Sequence, residues 1–399
     1  MLKLHSKEMI PCGDCDGGIH IKRLTTNKAF IQPLRGQEVF LVKDSTIPLP
    51  DGFWGYLGFE PSVGPAKKNH YQLEPSLFYL GDGDVVKIDS AKRYLRVLYR
   101  KSSSHNAFLL TERCNNYCLM CSQPPKEQDD SFIIRDILAT IPIMSKETVE
   151  VGLTGGEPTL LGDSLIAILE SLKNHLPSTA VHMLSNGRAF SKMDFAKKVS
   201  QVAHPDFMIG IPIYSDISSI HDYVVQADGA FDETIRGILN LKACRVKVEI
   251  RVVIHKQTYD RLPDLATFIR RNLTFCDHVA LMGLEMMGFT RSNLEKLWID
   301  PKEYQPQLRL AVETLARANM NVSIYNHQLC LLDPSLYKFN RKSISDWKNE
   351  YIPECDGCLR MSECGGFFSS AKLRYSSYIK PFRRQENTET PQAHPAERI

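Results

Sequence analysis

An α/β fold built on a partial (β/α)6 TIM-like barrel, with a small β-rich domain before it and a loop-rich, cysteine-bearing domain after it, is what this sequence predicts. Three observations predict it. Six apolar, strand-like runs alternate with helical patterns from residue 107 onward, the first hundred residues are short β-prone runs cut by turns, and four of eleven cysteines gather in a loop-rich stretch beyond residue 320. The expected organisation is residues 1–104 for the β-rich domain, 105–300 for the barrel, 301–382 for the cysteine-bearing domain and 383–399 for a disordered tail.

The N-terminal runs are AFIQPL, EVFLV, GDVVKID and RYLRVLYR, separated by turn signals such as PDG and GDGD. The six barrel strands are AFLLTE, TVEVGLTG, AVHMLSN, FMIGIPIY, VKVEIRVVI and HVALMGLEM, beginning near 107, 148, 180, 207, 246 and 278. Between them, DSLIAILESLKNH, DETIRGILNLK and LPDLATFIRRNL repeat their apolar residues every three or four positions, as helices do. In such barrels function gathers on loops at the C-terminal ends of strands, so every motif can be tested by its place. A helix at PKEYQPQLRLAVETLARA leads into the loop-rich region, a candidate for stapling by metal.

A formal charge of +3 on 399 residues gives no strong basic field, which argues against nucleic acid or an anionic membrane as partner. No run approaches the length of a membrane span and the N-terminus lacks an apolar signal region, so a cytoplasmic protein is expected. An odd count of eleven cysteines without an export signal points to metal rather than to disulfides. Cys244 and Cys276 stand alone and read as core thiols.

Cys114, Cys118 and Cys121 follow a C-x3-C-x2-C spacing just past the first barrel strand. A structural zinc site wants four closed ligands, and no histidine or fourth cysteine lies nearby in sequence. Three thiolates suit a [4Fe-4S] cluster with one iron left open. The stretch TERCNNYCLMCSQPP resembles the signature of the radical S-adenosylmethionine (SAM) superfamily. The resemblance implies that the open iron chelates the amine and carboxylate of SAM, and that reductive cleavage yields a 5′-deoxyadenosyl radical that takes hydrogen from a substrate. Met120 stands where the family often has an aromatic residue near the adenine, and is apolar and adaptable enough to cover the same ring.

On this resemblance LTGGEPTL supplies the SAM-amine motif: Gly155, Gly156, Glu157 and Pro158. Ser185 and Asn186 in MLSNG offer a hydroxyl and an amide to the SAM ribose or carboxylate at the same rim. Alternation along VKVEIRVVI puts Arg251 on one face with Lys247 and Glu249, making it either a SAM-carboxylate ligand or a member of a buried ion pair. Tyr214, His221, Asp222 and Glu285 also fall at the expected mouth, where they either face substrate or serve as capping or core polar groups. No catalytic acid or base is identifiable.

Cys355, Cys358 and Cys364, with Cys330 upstream, can close a second, auxiliary [4Fe-4S] site, with four-thiolate zinc as the alternative. The spacing resembles part of a SPASM or twitch domain; the next cysteine of that pattern is replaced by Phe368, so one auxiliary cluster is expected. Cys12 and Cys15 form a C-x2-C that is half a metal site, a redox pair or neither.

The longer runs HNAFLLTERCNNYCLMCSQPP, VGLTGGEPTLL, GDVVKIDSAKRYLRVLYRKSS and CGGFF resemble the C-type radical SAM maturase of the His-Xaa-Ser system over most of residues 80 to 370. That resemblance implies a peptide-maturation enzyme acting on a His-Xaa-Ser repeat protein, alongside a second radical SAM maturase and an electron donor such as flavodoxin or ferredoxin. The competing expectations are a radical SAM enzyme for a small-molecule intermediate and a non-enzymatic iron-sulfur or zinc protein; the GGEP turn counts against the latter. A β-rich N-terminal domain is also a candidate to bind an extended peptide by strand addition.

Overall fold

The computed structural model describes residues 3–61, 65, 67–342 and 349–384; the tail expected from residue 383 lies, apart from its first two residues, outside the described residues. Two sheets organise the chain. The first is mixed and holds β1 (His5–Ser6), β2 (Ile10–Pro11), β3 (Ile19–Thr25), β4 (Glu38–Leu41), β5 (Gly55–Gly58), β6 (His70–Gln72), β7 (Val85–Asp89) and β8 (Tyr94–Tyr99), in the order β1-β8-β7-β3-β4-β5-β6-β2. Three of the four expected β-prone runs form β4, β7 and β8. The fourth, AFIQPL, instead runs into a short helix α1 (Gln32–Arg35), because Pro33 sits in its first turn, where a missing N–H costs nothing. Leu24, Leu41, Leu57, Tyr71, Ile88 and Leu95 give this sheet its own buried core.

The second sheet is parallel throughout, in sequence order: β9 (His105–Leu109), β10 (Glu150–Thr154), β11 (Ala180–Leu184), β12 (Phe207–Pro212), β13 (Lys247–Ile254), β14 (His278–Gly283) and β15 (Val322–Tyr325). All six expected strands form. The seventh, β15, lies in NVSIY, beyond the expected end of the barrel, and lines up on β14 through Val279–Val322 and Met282–Tyr325. Its four residues are too short to stand out by periodicity, and pairing with β14 supplies what propensity does not.

Helices cover the outer face: α2 (Ser131–Thr140), α3 (Asp163–His175), α4 (Met193–Val202), α5 (Ser218–Val225), α6 (Ala230–Ala243), α7 (Leu262–Asn272), the short α8 (Phe289–Ser292) and α9 (Leu294–Leu297), and α10 (Gln305–Arg317). In α3, Leu165, Ile168, Leu169 and Leu172 form the buried stripe, while Asp163 in the first turn and Lys173 and His175 in the last complement the helix dipole. Those stripes meet Val181, Met183, Ile209, Ile211, Val248, Ile250, Val279 and Leu281 of the strands in one core. The alternate residues of the strands face inward and are far more polar, among them His182, Glu249, Arg251, His278 and Ser323.

The first sheet is fastened to the barrel by a nearly buried ion pair, Lys87 to Asp136 at 2.6 Å, and by Tyr99 to Thr148 at 2.8 Å. Beyond β15 the chain runs as short 3-10 turns. An isolated bridge from Ile324 to Asn340 ties it back to β15, and one from Glu350 to Phe367 closes the segment on itself.

Candidate functional site

Three cysteines occupy the loop that leaves the C-terminal end of β9. The loop has little regular structure, so its shape depends on backbone groups borrowed from neighbours. Tyr117 N and Leu119 N donate to the Val225 and Val224 carbonyls at the end of α5. From the far side, Asn293 donates to Leu119 O, Thr290 to Met120 O and Phe289 N to Cys121 O. Cys118 is partly buried, and desolvation of its thiol, reinforced by the charges Cys121 and Cys114 would carry, pushes it up to about 12; Cys114 is pushed up to about 11 and Cys121 is also raised. Cys121 Sγ donates to Gln123 O at 3.0 Å and Cys114 Sγ accepts from Asn116 N at 3.4 Å.

The GGEP turn lies directly against this loop. Gly156 N donates to Thr111 O and Glu157 N to Arg113 O, each at 2.8 Å. A Cβ on Gly155, whose φ is +140°, would fall 2.4 Å from Thr111 O, and one on Gly156 would fall 2.0 Å from Arg113 O. Both glycines are therefore demanded by the cysteine loop itself. Glu157 is 1% exposed. One carboxylate oxygen accepts from Thr159 N (3.0 Å), Thr159 Oγ1 (2.7 Å) and Ser185 Oγ (2.8 Å), and the other accepts from Asn186 N at 2.6 Å. Burial raises its pKa against the pull of those bonds, and among the described residues no ion pair joins it to a cation. The second oxygen keeps a lone pair for a further donor. Pro158 opens the short turn that follows.

Ser185 and Asn186 thus reach the site as expected, engaged with Glu157. The Asn186 amide also donates to Asn115 Oδ1 at 2.7 Å. Arg188, which sequence reasoning missed, donates to Asn115 O and Asn116 Oδ1 at 2.8 and 2.7 Å and to Glu233 at 2.6 Å, clamping the cysteine loop to α6. Its signal was only an arginine two residues past MLSN. Met120 packs in a small cluster with Tyr214, Val224 and Val225, and Cys118 borders it. Tyr214 lies close enough to Cys118 and Cys121 for their charges to act on its phenol, whose pKa burial already raises.

Arg251 donates to Glu249 at 2.5 Å and its other nitrogen lies 3.1 Å from Met282 Sδ. Glu249 also binds His278 at 2.6 Å, and His278 binds Ser323 at 2.9 Å. The ion-pair alternative is therefore present in the structure. Although burial opposes ionisation, His278, Arg251 and His182 together hold Glu249 down to about 2. His221 and Asp222 serve the backbone: His221 Nδ1 accepts from Tyr214 N at 3.2 Å, and Asp222 accepts from Gly229 N and Phe231 N at 2.8 Å, fixing the start of α6. Glu285 is half-buried just beyond β14.

Cys330, Cys355, Cys358 and Cys364 line one cavity of about 340 Å³ with Tyr351 and Arg360. Cys364 Sγ accepts from Leu329 N and Gly366 N, and Cys358 Sγ from Phe382 N, each at 3.4 Å. Such N–H donors and the Arg360 guanidinium favour sulfur carrying negative charge. Burial raises the thiols of Cys330 and Cys355. Cys276 is buried, and Cys244 is half-buried against Met193 Sδ at 3.8 Å. Cys12 and Cys15 lie partly buried on the loop between β2 and β3, their thiols directed to Ile10 O and Gly13 O.

The structure thus places three partly buried thiols at the end of the first strand of a parallel β/α sheet, beside a buried carboxylate that no ion pair joins to a cation among the described residues. Residues 108–269 match the Radical SAM superfamily, a family that implies a [4Fe-4S] cluster and SAM. No curated protein matches the chain. Among solved structures it is similar to Streptococcus suis SuiB bound to S-adenosylmethionine (16% identity, 61% of this chain and 55% of that one, TM-score 0.47). It is also similar to anSMEcpe with bound AdoMet (15%, 55% and 63%, TM-score 0.43) and to coproporphyrinogen III oxidase (HemN) from Escherichia coli (11%, 55% and 54%, TM-score 0.43). The chain thus spans little more than half the length of SuiB.

Proposed function

We propose that this protein is a radical SAM enzyme that modifies a peptide or protein. The observation that carries the SAM-cleaving part is the Glu157 carboxylate: buried, held by four donors, joined to no cation among the described residues, and close enough to Cys114 for their charges to interact. Burying an uncompensated carboxylate is costly, and the SAM ammonium group is the compensation such a site calls for. Cys114, Cys118 and Cys121 hold the cluster, Met120 covers the adenine, and Ser185 and Asn186 steer Glu157 toward the ligand, while Arg251 remains paired with Glu249. When bound, cluster and SAM supply a 5′-deoxyadenosyl radical on reduction. The chain's part is to orient the ligand and exclude water, which the partly buried Cys118 and the buried Tyr214 serve.

Cys330, Cys355, Cys358 and Cys364 hold one auxiliary [4Fe-4S] cluster. Four thiols lining one cavity, two of them accepting backbone N–H groups, support a four-thiolate metal centre, and the resemblance to an auxiliary-cluster domain favours a cluster over zinc. The sequence runs shared with the His-Xaa-Ser maturases favour a repeat-bearing protein as substrate, with a second radical SAM maturase and a flavodoxin or ferredoxin as companions. Strand addition to the N-terminal sheet has little room, because the edge strands β1 and β2 are two residues each and β2 ends in Pro11.

The test is anaerobic reconstitution with iron and sulfide followed by reduction in the presence of SAM. Site-bound cluster should yield 5′-deoxyadenosine, Cys118→Ala should abolish it, and a wild-type chain that forms none would end the reading.

A further inference from the structure

Between the two cysteine sites lies a cleft of about 650 Å³ at the C-terminal ends of β13, β14 and β15. Its walls tie it to both sites. Met286 lines it, and three residues later Phe289 N donates to Cys121 O, so one segment borders the cleft and braces the three-cysteine loop. Gln328 and Gly366 line it on the other side: Gln328 also lines the four-cysteine cavity, and Gly366 N donates to Cys364 Sγ.

The rest of the wall mixes aliphatic residues (Ile254, Leu284, Ile299), polar ones (Asn326, Ser370, Ser376) and a group of rings. Trp298, Phe368 and Tyr375 face the cleft, with the Arg374 guanidinium 5.1 Å from the Trp298 ring centre. That cation is already paired to Glu295 at 2.6 Å, so the cleft presents rings more than charge. Tyr375 lines the cleft while remaining 41% exposed, so an aromatic ring stands at its rim. A cleft open at an aromatic rim can take a chain that runs on past it.

Building on the peptide reading above, we propose that this cleft seats the substrate peptide and selects a planar ring side chain, imidazole or aromatic, against Trp298, Phe368 and Tyr375. Ring-on-ring packing rewards planar groups beyond the apolar area they bury.

The experiment uses the full chain and fluorescein-labelled blocked peptides identical except at one position, which holds His, Phe or Leu, with binding read by anisotropy. The His and Phe peptides should bind about three- to tenfold more tightly than the Leu peptide. Trp298→Ala should erase that preference and Trp298→Phe should retain most of it, which separates lost packing from a damaged fold. Phe78→Ala, on the exposed surface of the N-terminal domain, should change nothing. Equal binding of all three peptides, no binding, or a preference that survives Trp298→Ala would overturn the proposal. SAM cleavage is scored separately, so a chain that makes 5′-deoxyadenosine yet ignores the ring loses only this inference.

Discussion

The Ser185 hydroxyl donates to the Glu157 carboxylate at 2.8 Å, and through that bond the ends of β10 and β11 become one unit behind the cysteine loop. Ser185→Ala removes one of four donors from a buried carboxylate, so it should destabilise the fold by about 1.5–3 kcal/mol and weaken SAM binding. Denaturant unfolding and isothermal titration with SAM measure the two effects. Glu157→Gln keeps the shape and deletes the charge; SAM affinity should fall about tenfold or more, and unchanged affinity would show that the carboxylate is purely architectural.

Arg188 makes a second prediction, because it holds Asn115 and Asn116 without being a candidate ligand. Arg188→Ala should leave the barrel folded but loosen the segment between Cys114 and Cys118. Reconstituted chain should then lose iron to a chelator several-fold faster than wild type. Arg188→Lys should rescue poorly, since a single ammonium group cannot address Asn115, Asn116 and Glu233 as a planar guanidinium does.

How much of this was legible beforehand follows from which interactions are local. The six strands were readable because apolar runs bury both against helices and against strands, and the cysteine loop and GGEP turn because their residue types are rare in such spacing. Glu157 was legible as a site residue, yet two of its four donors were not legible as its partners, since Ser185 and Asn186 lie 28 and 29 residues away. Arg251 with Glu249 could be placed on one face by alternation, whereas His278 and Ser323 come from other strands. β15 escaped because four residues carry too little periodicity, and AFIQPL misled because a proline that opens a helix was read through its apolar neighbours.

Buried histidines set a pH dependence, His221, His255 and His327 among them. Burial lowers His221 to about 4 and His255 to about 3, against an ordinary value near 6.5. The unfolded chain therefore takes up protons first: their contribution to stability is full above pH 6.5 and is lost as pH falls toward 4 and 3. Melting temperature should decline over that range. His255→Phe, which removes one such group and its unpartnered buried Nε2, should make the decline shallower. An unchanged slope would mean that His255 is already protonated in the folded protein.

The four-cysteine site makes the last prediction. Its four thiols line one cavity, and Cys358 and Cys364 accept N–H groups from the backbone, as thiolates bound to metal do; on the proposed reading a [4Fe-4S] cluster occupies it. A Cys355→Ala, Cys358→Ala double variant should lose about four irons per chain while zinc, measured on the same samples, stays unchanged. The three-cysteine site should keep its own cluster, visible as SAM-perturbed electron paramagnetic resonance after reduction. Loss of zinc with iron retained would make the centre a structural zinc site, and the double variant would then be expected to unfold the segment that forms one wall of the aromatic cleft.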